Sequence, residues 1–189
     1  MGVEIMTEIL RIKREEAVLV AIDFQEKLLP AMEEKEKIEK SIIKLAAGLN
    51  VLGIPKLVTT QYARGLGQTV DSVAGALGEF EAIDKTTFSA WQNPEFRSAL
   101  EASGRKTVII TGIETHICVE QTTLDLMEHG YRVFLPVDCL GSRDMANHRA
   151  SLERMKTEGA VITCGESVLY EILGGAKAPE FKAISAIVK

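Results

Sequence analysis

The chain's pattern predicts a three-layer α/β/α fold around an open parallel sheet of about six strands. Three observations lead there. Apolar runs of strand length, rich in β-branched residues, alternate with segments whose apolar positions follow a helical period. The alternation is strand, helix, strand, the order that builds a parallel sheet covered on both faces. The 189 residues are 46% hydrophobic and 26% charged, enough for one domain over residues 1–189 with a sizeable core.

Residues 17–23 read as a buried strand closing on an acid. Residues 35–52 read as a helix, with Ile38, Ile42, Leu45 and Leu49 on one face. Gly53 and Pro55 mark its end, and residues 56–60 give the next strand. A Gly-containing loop and a polar segment lead to a short strand around residues 82–86. Pro94 opens a helix where its missing N–H costs nothing, and that helix runs to about Ser103. Residues 107–111 form a strand stopped by Gly112, and Cys118 falls in the first turn of the helix that follows. Residues 131–137 make another strand, and residues 146–158 a helix closed by Gly159. A last strand over 160–163 and a helix over 165–173 complete the pattern. The tail after Pro179 carries Phe181, Ile184, Ile187 and Val188, an apolar face that packs on another subunit or on its own domain. The pattern leaves both open.

Composition narrows the partners. The net charge is −5 with no basic stripe, which argues against nucleic acid and against an anionic membrane surface. The apolar stretches are interrupted and strand-length, so no membrane span is expected. Residues 1–16 mix acids and bases and lack the apolar core of a signal peptide. Three unclustered cysteines fit a reducing, cytoplasmic compartment better than a disulfide framework. The expected partner is a small-molecule substrate.

In open parallel sheets ligands bind outside the carboxyl ends of the strands. Those ends bring Asp23, Lys85 and Cys118 together. A cysteine at a helix start faces amide dipoles that favour the thiolate, so a depressed thiol pKa is expected. A carboxylate beside it could take the thiol proton and later hand it to a leaving amine. A lysine beside both would stabilise thiolate and carboxylate together. Each residue also has an ordinary reading: cysteines are often small buried hydrophobes, as Cys139 and Cys164 are read here, and an acid after a strand is often a cap. The alternative from another class is a non-hydrolytic binding or redox-sensing protein, with Cys118 as a reactive low-pKa thiol.

Three motifs in order resemble the isochorismatase-like cysteine hydrolases. A hydrophobic strand closes on Asp23-Phe24-Gln25; a second ends in Asp84-Lys85-Thr86-Thr87-Phe88-Ser89-Ala90-Trp91; and Gly112-Ile113-Glu114-Thr115-His116-Ile117-Cys118-Val119 follows. The likeness runs from about Leu10 to Leu173. With Thr59-Thr60-Gln61-Tyr62 and Gly65-Leu66-Gly67 it looks most like the metal-free branch of bacterial hydrolases that form large homo-oligomers. The resemblance implies an isochorismatase-like sheet of Rossmann-like topology, with Cys118 as nucleophile, Asp23 as general base and Lys85 as electrostatic partner. It implies a cis Ile113–Glu114 peptide, with the Glu114 and Cys118 N–H groups as oxyanion donors. Phe24, Gln25, Tyr62, Phe88, Trp91 and Ile117 become the candidate pocket walls. The metal-binding Asp-x-His of the nicotinamidase branch is replaced by Gln61-Tyr62-Ala63, and the three histidines show no ligand spacing, so neither metal nor cofactor is expected. Isochorismate hydrolases proper work without the cysteine; its presence favours cleavage of a small linear or cyclic amide over a vinyl ether.

Overall fold

The computed structural model describes residues 9–189. Its strands are β1 (Ala17–Ile22), β2 (Lys56–Gln61), β3 (Ala82–Lys85), β4 (Thr107–Ile113), β5 (Arg132–Pro136), β6 (Leu140–Gly141) and β7 (Val161–Thr163). All pair in parallel, in the order β3-β2-β1-β4-β5-β7, with the two-residue β6 alongside the end of β4. The expected six strands are present, and β6 makes a seventh that two residues could not announce.

The helices are α1 (Lys35–Val51), α2 (Ala63–Leu66), α3 (Asp71–Leu77), α4 (Pro94–Ala102), α5 (Glu120–Glu128), α6 (Met145–Thr157), α7 (Gly165–Leu173) and α8 (Phe181–Val188). Alternation along the central strands sorts side chains into two cores. Ala17, Leu19 and Ala21 of β1, with Ile109 and Ile113 of β4, face α1, α3, α7 and α8. Val18, Val20 and Ile22, with Val108 and Ile110, face α4, α5 and α6. Both central strands are buried along their whole length, which is why they read as continuous apolar runs. The apolar tail resolves onto its own domain: α8 packs on α1 and α7, and Ile184 is fully buried.

Two expectations need correction. The segment between β2 and β3 is not loop alone; it folds into α2 and α3, which place only Val73 and Leu77 in the core. Gly112 does not stop β4, which continues to Ile113. Gly112 sits at φ 141° opposite Ile22, where a Cβ would lie 2.4 Å from the Ile22 carbonyl oxygen. Glycine here permits two strands to approach rather than ending one.

Candidate active site

Strand order reverses at β1: β2 and β3 extend to one side, β4 and β5 to the other. The carboxyl ends of β1 to β4 therefore meet around one crevice. Asp23 follows β1 in a left-handed conformation (φ 56°), a region that Asp enters more readily than most residues. Its Oδ1 accepts from the Thr59 hydroxyl at 2.7 Å. Its Oδ2 accepts from Lys85 Nζ at 2.7 Å, and both side chains are 0% exposed. Lys85, the last residue of β3, also donates to Gln61 Oε1 at 2.7 Å and to the Thr87 carbonyl at 3.4 Å. The ammonium's three protons thus have three protein acceptors.

Cys118 lies on one π-helical turn (Thr115–Val119) between β4 and α5. Burial first, then the Asp23 carboxylate, push the thiol pKa up to about 12, with the Lys85 ammonium opposing the rise. The expected depressed thiol is therefore corrected: burial and the neighbouring anion outweigh the dipoles of a single turn. The preceding Ile113–Glu114 peptide is cis. A loop from β6 is latched over this turn: the Glu114 carboxylate accepts from Arg143 Nε at 3.0 Å and from its backbone N–H at 2.9 Å, while His116 Nδ1 lies 2.9 Å from Ser142 Oγ.

Beside the thiol opens a cavity of about 150 Å³ lined by Leu28, Gln61, Leu66, Phe88, Ile113, Glu114, Ile117 and Cys118. Of the candidate walls, Phe88 and Ile117 border it. Phe24 instead lies in the core, and Trp91 is buried against Tyr131 and His129 on the α4 side. Gln25 is buried and braces the backbone: its amide donates to the Gln61 and Gly67 carbonyls and accepts from the Gln61 N–H. Tyr62 is half exposed, off the cavity wall. Phe24, Gln25, Tyr62 and Trp91 all lie beyond the strand ends, where adjacency to a motif residue in sequence does not fix which way a side chain points. Gln61, Leu28 and Leu66 were missed as wall residues, although Gln61 stands at a strand's carboxyl end, the signal that found the others. Cys139 is buried, while Cys164 is half-buried with its Sγ 3.1 Å from the Ser167 hydroxyl. Among the described residues no three His, Cys, Asp or Glu are grouped to hold a metal ion, and no helix is long and apolar enough to cross a membrane.

A fully buried Asp–Lys pair and a cysteine thus lie at the switch point of a parallel sheet, where folds of this class bind their ligands. The family model described as "Isochorismatase domain" matches residues 17–167, and the chain belongs to that family. It is 37% identical over 173 residues to isochorismatase domain-containing protein 1 of Salmo salar, covering 91% of this chain and 60% of that protein. The chain thus spans about three fifths of that relative's length. Among solved structures it superposes on the MAR1 ribonuclease of Caenorhabditis elegans with a TM-score of 0.89 at 34% identity, over 95% of this chain and 92% of the other. YcaC from Pseudomonas aeruginosa, solved with hexane-2,5-diol and covalent acrylamide, gives 0.89 at 26% identity, over 94% and 90%.

Proposed function

We propose that this isochorismatase-family hydrolase cleaves a small, neutral amide or related C–N bond through a Cys118 thioester. The observation that carries the reading is the fully buried Asp23–Lys85 pair beside the Cys118 thiol, whose pKa is raised, at the wall of a small apolar cavity. Asp23 takes the proton as Cys118 Sγ attacks the carbonyl carbon, and the Glu114 and Cys118 N–H groups receive the oxyanion. Collapse of the tetrahedral adduct breaks the C–N bond, and Asp23 returns the proton to the leaving amine. Water, deprotonated by the same carboxylate, then attacks the thioester and frees acid and thiol. Lys85 holds the carboxylate in place throughout.

The cavity favours an uncharged acyl group. Its walls are mostly aliphatic and aromatic, and the ammonium nearest to it is already occupied by Asp23, Gln61 and Thr87. The acrylamide held covalently by the Pseudomonas aeruginosa relative is a small neutral amide of this kind. The ribonuclease name borne by the Caenorhabditis elegans relative fits this chain less well. A net charge of −5 and a cavity of about 150 Å³ offer little to a phosphodiester backbone. A low-pKa redox sensor is disfavoured by the raised thiol.

The reading includes a homo-oligomer. Tyr62 and Phe88, 52% and 53% exposed, leave aromatic surface of the kind that a second copy covers. Light scattering should give a mass that is a multiple of 20.7 kDa; a monomer would remove this part. The central test is ammonia or amine release from a panel of small neutral amides. Turnover should fall to background in Cys118→Ala. Turnover that survives the substitution would sink the thioester mechanism.

A further inference from the structure

Behind the nucleophile turn, on the side away from the thiol cavity, α6 supplies contacts that the proposed chemistry does not use. Asp144 caps α6, its carboxylate accepting from the N–H groups of Ala146 and Asn147. The cap fixes where the helix begins, and with it which residues face the turn. His148 and Ser151, three apart, share one face. The Ser151 hydroxyl donates to the Thr115 carbonyl at 3.0 Å. The Thr115 hydroxyl donates to the Gly141 carbonyl at 3.0 Å and lies 2.9 Å from His148 Nδ1. Thr115 is buried, as is His148, at 6% exposure.

Proton counting points to one arrangement of this network. A carbonyl accepts only, so the single Thr115 hydroxyl proton goes to Gly141. The close contact with His148 then requires that Nδ1 carry a proton and donate. Burial first, then Arg149, with His116 adding and Glu34 opposing, hold the imidazole below its ordinary value. The neutral ring at neutral pH is therefore the Nδ1–H tautomer. Its Nε2 has no hydrogen-bond partner among the described residues. His148 borders a separate cavity of about 360 Å³, lined also by Glu33, Glu34, Ser41, Asp138 and Met145.

We propose that His148 is a positioning residue for acyl transfer: its Nδ1–H locks Thr115 between β6 and α6 and so fixes the backbone from Glu114 to Cys118. Three ties converge on Thr115, immediately after one proposed oxyanion donor and three residues before the nucleophile. Displacing such a turn by a fraction of an ångström misaims N–H groups whose value lies in being aimed beforehand. The inference rests on the thioester reading for its consequence, but the tautomer and the contact do not.

The test has two parts. A proton–nitrogen correlation spectrum of the whole protein identifies which ring nitrogen of His148 is protonated; Nδ1–H is expected, and an Nε2–H tautomer would overturn the assignment. The second part compares two reactions of Cys118: acylation by 4-nitrophenyl acetate, which develops an oxyanion, and alkylation by iodoacetamide, which does not. In His148→Asn the side-chain amide nitrogen falls near the Nδ1 place and still donates, so the ratio of the two rates should stay near wild type. In His148→Phe the donor is gone, and the ratio should drop roughly 10- to 100-fold. His148→Gln, whose amide falls on the Nε2 side, gives the same drop and serves if the Phe variant does not fold. A wild-type ratio in both Phe and Gln variants would overturn the positioning role. Wild-type protein showing no Cys118-dependent acylation would instead overturn the thioester reading, leaving the tautomer result to judge the contact.

Discussion

Burial and the Asp23 carboxylate raise the thiol pKa of Cys118, so the proposed mechanism draws its reactivity from proton transfer during attack rather than from a standing thiolate. That separates two quantities often taken together, alkylation rate and catalytic rate. Asp23→Asn removes the carboxylate that raises the thiol pKa and leaves Lys85, which lowers it. The thiol pKa should therefore fall from about 12, and iodoacetamide should react faster at any given pH below that value. Hydrolysis should nevertheless drop by about 10²- to 10⁴-fold, because the proton acceptor is lost. In the wild type, alkylation should keep accelerating as pH rises through 9 toward 12. Slower or unchanged alkylation in Asp23→Asn would show that the carboxylate does not act on the thiol. At this scale the placement of the candidate residues was legible in the sequence, since Asp23, Lys85 and Cys118 each close or follow a strand. The thiol's direction of shift was not. It depends on burial from several elements at once, which a linear pattern does not carry.

At the scale of the element, the close pairing of β1 and β4 is what brings Asp23 toward the Cys118 turn. Ile22 pairs with Gly112, and the space between them has no room for a side chain. Gly112→Ala would place a methyl 2.4 Å from the Ile22 carbonyl oxygen and 2.6 Å from its Cβ, at a φ of 141° that alanine resists. The substitution should cost at least about 1–3 kcal/mol in urea unfolding. Gly75, inside α3 with nothing within 4 Å of an added Cβ, is the control: Gly75→Ala should gain up to about 1 kcal/mol. Equal effects at the two positions would remove the close-approach argument. Helices with a long apolar stripe, such as α1 and α7, were readable to within a residue or so from their period. The four-residue α2 and seven-residue α3 were not, because they span too few turns to display one. The strand-ending role first assigned to Gly112 failed for a related reason: a lone glycine can mark a stop or a close approach, and only the neighbouring strand decides which.

Over the whole molecule, the site lies where the two cores meet, and its ion pair has been withdrawn from water between them. Desolvating both charges is costly, and their attraction, the Thr59 and Gln61 hydrogen bonds and the Thr87 carbonyl offset that cost only while both partners are present. Lys85→Met would strand the Asp23 carboxylate, at 0% exposure, without its cation. The variant should lose about 3–5 kcal/mol of stability in urea unfolding. Adding Asp23→Asn removes the orphaned charge while keeping an oxygen for the Thr59 hydroxyl, in a backbone conformation that Asn also accepts. The double variant should therefore be more stable than Lys85→Met alone and as inactive as either single one. A Lys85→Met protein as stable as wild type, or a double variant no better than the single, would mean that the pair is not desolvated as the structure has it. The expected result would instead show that the sheet and its two cores fold without the pair, and that the charge at their junction is retained for chemistry.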